Sequence, residues 1–154
     1  GVKLWVCEPC STAPNDDIAA CAGELGVPLL QHTYYKATGL HPGESTPADL
    51  AELASRHPDT QFLMAHSGGD WERGIRTVKD YPNISVDVCG GAPYVGQTEY
   101  AVEYLGAERV LYGSDAAGRS FASQLAKVIG ADITERQRDM ILAENAIRLF
   151  DLDV

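Results

Sequence analysis

Five short apolar runs punctuate this chain, and nothing between them can close a hairpin. The runs are GVKLWV (1–6), VPLLQHT (27–33), QFLMAH (61–66), ISVDVC (84–89) and RVLYG (109–113). Each is followed by a loop and one or more segments of helical length, and no Asn-Gly or Asp-Gly pair joins two runs directly. Strands that cannot turn straight back must be connected by crossover helices, which makes them parallel. The helical segments carry their own punctuation. Asn15 is placed to cap DDIAACAGEL, which Gly26 ends, and Thr46 is placed to cap ADLAELASRH, with Pro47 first and Asp49 completing a capping box. Further helices are expected from about Asp70 to Asp80, from Gln97 to Leu105 with Gly106 as the stop, from about Ser120 to Ile129, and from Thr134 to Leu149 with a cap or break near Asn145. No repeat, low-complexity tract or linker divides the chain, so residues 1–154 read as one α/β domain.

Two architectures accommodate five parallel strands joined by helices: an open doubly wound sheet and part of a (β/α)8 barrel. In the fourth run Ile84, Val86 and Val88 alternate with Ser85, Asp87 and Cys89. A strand covered by helices on both faces is nearly all apolar, whereas one apolar and one mixed face suits a barrel wall, with the apolar side under the outer helices. The alternation favours the barrel.

Composition narrows the function. The 12 basic residues against 22 acidic ones leave a net charge of −10 with neutral histidines, which argues against nucleic acid or an anionic membrane as partner, since both are held through Lys and Arg clusters. No apolar run approaches the roughly 20 residues a spanning helix needs, and a cytoplasmic location is the default expectation. Four cysteines, Cys7, Cys10, Cys21 and Cys89, in a chain of this size are expected as reduced thiols. Cys7-Glu8-Pro9-Cys10 after a Trp-bearing strand resembles the redox loop of thioredoxins, but two ordinary thiols in a βα loop explain it as well.

The residues that end the strands carry the chemistry. VPLLQH ends at His32, QFLMAH at His66 and RVLYGSD at Asp115. In parallel α/β folds that edge collects active sites, because the loops after the strands converge there. Two imidazoles and a carboxylate suit a divalent ion such as Zn²⁺, which acidifies a bound water into a nucleophile. Taken singly, each has a structural reading, a hydrogen-bonded strand-end histidine or, for Asp115, a helix cap. Tyr34 and Tyr35 directly follow His32 and could line a substrate pocket, His41 and Glu44 lie in the same loop as substrate-contact candidates, and Arg119 just past Asp115 could meet a substrate carboxylate. His57, before Pro58, suits a cap at a helix end.

HSGG, YPNISVDVCG, GAERVLYGSD and ILAENAIRLFDL, in this order and spacing, resemble the amidohydrolase superfamily, in its amidohydrolase-related branch with decarboxylases of the aminocarboxymuconate-semialdehyde type. The resemblance spans essentially the whole chain and aligns its strands with the fourth to eighth of the family's barrel. It implies a metal-dependent hydrolase of amide, ester or lactone bonds, or a non-oxidative decarboxylase, acting on a small molecule. By the same resemblance His32 and Asp115 are metal ligands, His66 polarises the substrate or orients the attacking water and stands in reach of the metal, and Asp115 accepts the water's proton. Lys3 lies near the position of a carboxylated lysine in binuclear relatives, though its place early in the strand suits a solvated or outer-shell lysine better. The family's first-strand HxH pair occurs nowhere in this sequence, and a complete barrel takes about 250 residues. The expectation is therefore a partial barrel that is completed by further sequence or pairs with another copy as a homo-oligomer through its open strand edges. The alternative is a non-catalytic, metal-poor half-barrel serving assembly; a thiol oxidoreductase using Cys7 and Cys10 ranks third.

Overall fold

A computed structural model describes all 154 residues. Five strands form one sheet, β1 (Val2–Leu4), β2 (Leu29–Gln31), β3 (Phe62–Met64), β4 (Ile84–Asp87) and β5 (Val110–Leu111), all parallel and in sequential order. A doubly wound sheet reverses its strand order at a switch point, and none is present. Sequential parallel strands with right-handed crossovers keep their helices on one side, which is the wall of a (β/α)8 barrel. Five strands make a partial one.

Register separates the two faces. Lys3, Leu30, Leu63 and Ser85 are successive partners and share the inner face, as do Asp87 and Leu111. Leu29, Phe62, Ile84, Met64, Val86 and Val110 point the other way, into the principal core against α1 (Pro14–Glu24), α2 (Pro47–Arg56), α3 (Trp71–Val78), α4 (Gln97–Leu105) and α5 (Phe121–Ile129). The alternation seen in the fourth run therefore sorts as a barrel requires. On the inner face Leu30, Leu63 and Leu111 pack with Ala146, Leu149 and Phe150 of α7 (Asn145–Phe150). Phe150 lies beside Gly1 and Pro28, so this plug sits at the N-terminal ends of the strands and leaves their C-terminal ends open.

The helix signals are mostly met. Thr46 Oγ1 accepts from Asp49 N at 3.2 Å while Asp49 accepts from Thr46 N at 2.8 Å, a reciprocal capping box worth about 1 kcal/mol. Asp70 and Ser120 cap α3 and α5, and Thr134 caps the short α6 (Glu135–Asp139). Two expectations are corrected. Asn15 does not cap α1: the helix begins two residues before the expected Asp16, at Pro14, whose fixed φ suits the first position, and the buried Asn15 amide donates to Pro9 O and Thr12 Oγ1. Asn145 neither caps nor breaks the last helix. The segment widens into a π-helical stretch at Met140–Glu144, which releases Ile141 O to accept from Tyr112 N at 2.8 Å, and the Asn145 amide donates to Ala107 O and Val110 O. Both contacts bind the helix to the entry and exit of β5.

Candidate active site

β2 and β3 stop short of the histidines that end their apolar runs. β2 ends at Gln31, and His32 follows it with its amide on Leu4 O at 3.1 Å. β3 ends at Met64, and His66 sits in a tight 3₁₀ turn, Ala65–Gly68, with φ of 63°. A histidine in the left-handed region is uncommon and costs on the order of 1 kcal/mol or more unless its surroundings enforce it. Here they do. Asp87 Oδ1 accepts from His66 N at 2.8 Å and from Cys89 N at 3.1 Å, and Ser67 Oγ donates to Asp87 O at 2.7 Å. Gly90 completes the bed, since a Cβ there would meet His66 Nδ1 at 2.4 Å. β5 ends at Leu111, and Asp115 lies in a turn four residues on, with φ of 49°. It is not the cap of α5, a role that Ser120 fills.

These residues share one cleft of about 580 Å³ at the C-terminal ends of the strands, lined by Lys3, His32, Tyr34, His66, Asp115 and Arg119 among others. His32 Nδ1 and His66 Nε2 stand 3.2 Å apart. The Tyr34 ring packs 5.2 Å from each imidazole ring. Arg119 pairs with Asp115 at 3.6 Å, both partly open to solvent. Tyr35 faces elsewhere: the Arg73 guanidinium lies 3.9 Å over its ring, in a neighbouring depression. Adjacent residues of an extended segment point to opposite sides, so only one of the tyrosine pair lines this cleft.

Burial lowers the pKa of both imidazoles, leaving them neutral lone-pair donors. Burial likewise raises the Cys89 thiol, whose Sγ lies 3.3 Å from His66 Nδ1. His66, Asp87 and Cys89 present ligand-type atoms within 4.8 Å of one another. They fit a metal poorly, because one Asp87 oxygen already accepts two backbone N–H groups and a thiol ligates only as the thiolate. His32, His66 and Asp115 are nitrogen and oxygen groups that line one cleft, the two rings facing each other and Asp115 standing beside Arg119. Lys3 lies mid-strand on the inner face of the same cleft.

Glu44 is the residue whose role the sequence hid. It is 5% exposed, not a substrate-facing group, and its Oε1 lies 3.3 Å from His32 Nε2. Lys36 Nζ at 2.5 Å and His41 N at 2.8 Å complete its surroundings. Burial opposes its ionisation, yet these donors hold the carboxyl down at about 2. Asp87 and Cys89 were legible only as the polar face of the fourth run. Cys10, by contrast, is pushed up to about 12 by burial, the opposite of a reactive redox thiolate, and Cys7 is free and exposed.

The comparisons agree with this architecture. The sequence matches the family model described as Amidohydrolase over residues 4–152. No curated protein sequence matches it. Among solved structures, the chain is similar to 5-carboxyvanillate decarboxylase from Sphingomonas paucimobilis, with a TM-score of 0.74 at 15% identity over 98% of this chain and 58% of that one. It is also similar to a dihydroxybenzoic acid decarboxylase from a Polaromonas species with bound manganese and 2-nitroresorcinol, with a TM-score of 0.71, 15% identity, and 94% and 55% of the two chains covered. An amidohydrolase from Burkholderia multivorans with bound zinc gives a TM-score of 0.70 at 13% identity, covering 92% and 58%. The chain thus spans somewhat over half the length of these structures. With a family model matching nearly all of it, the chain belongs to the amidohydrolase family.

Proposed function

We propose that this chain carries the later half of a metal-dependent amidohydrolase active site, which acts on a small molecule by hydrolysis of an amide, ester or lactone bond or by non-oxidative decarboxylation. The observation that carries the reading is the pair of neutral imidazoles 3.2 Å apart in a cleft shared with Asp115, where parallel strands end. His32 and Asp115 would hold the ion, with His66 in reach of it. Nitrogen and oxygen donors of this kind suit Zn²⁺, and Mn²⁺ is the second candidate on the same grounds. When bound, the ion supplies Lewis acidity and an acidified water.

The chain's own residues supply the rest. His66, neutral and fixed by its turn, can hold or pass a proton at the substrate, and Asp115 can accept one. Tyr34 walls the cleft against both rings. Arg119, half open to solvent beside Asp115, is placed to meet a carboxylate, which favours carboxylated substrates such as those of a decarboxylase.

Metal analysis of the purified chain, before and after reconstitution, tests this reading. One equivalent of tightly held metal, lost in the His32→Ala/Asp115→Ala double variant, is the expected result. No retained metal would turn the assignment to the second reading, a non-catalytic half-barrel. What favours that reading is that β1 and β5 each have one unpaired edge. Pairing of those edges between copies would give a homo-oligomer, and light scattering that finds a monomer across concentrations would exclude it. No helix is long and apolar enough to cross a membrane.

A further inference from the structure

A row of polar groups crosses the cleft in single file. Cys89 Sγ lies 3.3 Å from His66 Nδ1, His66 Nε2 lies 3.2 Å from His32 Nδ1, and His32 Nε2 lies 3.3 Å from Glu44 Oε1. Both nitrogens of both rings are thus engaged. A neutral imidazole has one N–H and one lone pair, so the direction of one bond fixes the direction of the next.

The row has one end that cannot reverse. Glu44 already accepts from Lys36 Nζ and His41 N, and an ionised carboxylate only accepts. His32 Nε2 must therefore carry the hydrogen, which leaves the lone pair on His32 Nδ1. That lone pair faces His66 Nε2, which must then be the N–H. The His66 lone pair falls on Nδ1, and the Cys89 thiol donates to it. With His66 donating from Nε2, charging His32 would set two donors against each other across the 3.2 Å contact, and charging His66 would turn its Nδ1 into a donor facing Cys89 Sγ.

We propose that Glu44 is a positioning residue that dictates the tautomers of both His32 and His66, and that a divalent ion entering the cleft is therefore taken by His32 Nδ1. The second half rests on the metal reading above; the first does not. His32 Nδ1 is the lone pair that would hold the ion, and its loss as a partner would leave the His66 Nε2–H free to face a substrate. Glu44 then stands behind His32 as the outer carboxylate that orients a metal-bound imidazole and raises its basicity, an arrangement whose loss typically weakens metal binding by about 10–100-fold.

Histidine tautomers are read directly by long-range ¹H–¹⁵N correlation spectra. The full metal-free chain, labelled with ¹⁵N-histidine and held at about pH 8, where neutral rings dominate, gives four ring systems, assigned by single substitutions. His32 and His66 are both expected with a protonated Nε2 and a bare Nδ1; an Nδ1–H on either ring overturns the proposal. In Glu44→Ala, Nδ1–H forms are expected in both rings, including His66, which Glu44 does not touch. A His66 pattern unchanged in a folded Glu44→Ala variant would mean that Glu44 only tethers its loop. If that variant does not fold, the wild-type spectrum decides. Zinc added to the wild-type chain is expected to shift His32 Nδ1, and a bond to Nε2 instead overturns the second half. Absence of any zinc binding would refute the metal reading, while the metal-free spectrum has already settled the tautomers.

Discussion

Removing the Asp87 carboxylate should loosen the turn that presents His66, and its size can be worked out in advance. One Asp87 oxygen accepts from His66 N at 2.8 Å and from Cys89 N at 3.1 Å, and the residue is 5% exposed. Asp87→Asn keeps an acceptor oxygen at the same place but loses its charge. Hydrogen bonds to charged groups are worth about 1 kcal/mol more than neutral ones, so two of them make a loss of about 2 kcal/mol. For a chain of this length that is a fall in melting temperature of roughly 4–8 °C. Asp87→Ala leaves two buried N–H groups without an acceptor, at about 1–3 kcal/mol each, so a loss of about 3 kcal/mol or more is expected. Urea unfolding followed by circular dichroism measures both. Part of the Asp87 contribution goes into holding His66 at a φ of 63°, a conformation glycine adopts freely. His66→Gly should therefore shrink the Asp87→Ala loss by about 1 kcal/mol in a double-mutant cycle. Equal losses for Asn and Ala, or no coupling to residue 66, would show that Asp87 does not enforce the turn.

Three further outcomes are expected. Phe62→Ala, at a fully buried side chain of the principal core, should cost about 3–5 kcal/mol in the same unfolding assay. Glu44 has a folded pKa depressed to about 2 from 4.5, so its contribution is fully present above about pH 4.5 and is lost as pH falls toward 2; by linkage it is on the order of 3 kcal/mol, and Glu44→Gln should flatten the acid limb of a stability-against-pH profile over that window. Thiol titration of the native chain should label Cys7 and Cys21, which are exposed, and reach the buried Cys10 and Cys89 only on unfolding; rapid labelling of all four would contradict the packing around Cys10 and His66.

Much of the architecture is written locally. Apolar runs without hairpin turns dictate parallel strands, and the Ile84/Val86 alternation assigns the barrel's two faces. Thr46-Pro47-Ala48-Asp49 starts a helix through contacts within four residues, so its cap is readable before any fold is known. That His32, His66 and Asp115 come to one edge of the sheet was readable because strand ends are local features. Signals that depended on distant partners were misleading. Asn145 looks like a cap, yet it spends its amide on two carbonyls more than 30 residues away. Period-two reasoning also stops where a strand bends into a loop, so nothing in the sequence chose Tyr34 over Tyr35 for the cleft.

The sequence by itself determined the class of fold, the edge of the sheet where chemistry gathers and the residue types available there. Only the tertiary structure decided how those residues are tuned. Glu44 reaches His32 across 12 positions, His32 reaches His66 across 34, and His66 reaches Cys89 across 23. Hydrogen-bond direction and burial are set by such through-space neighbours, and a linear sequence carries the groups but not their facing atoms.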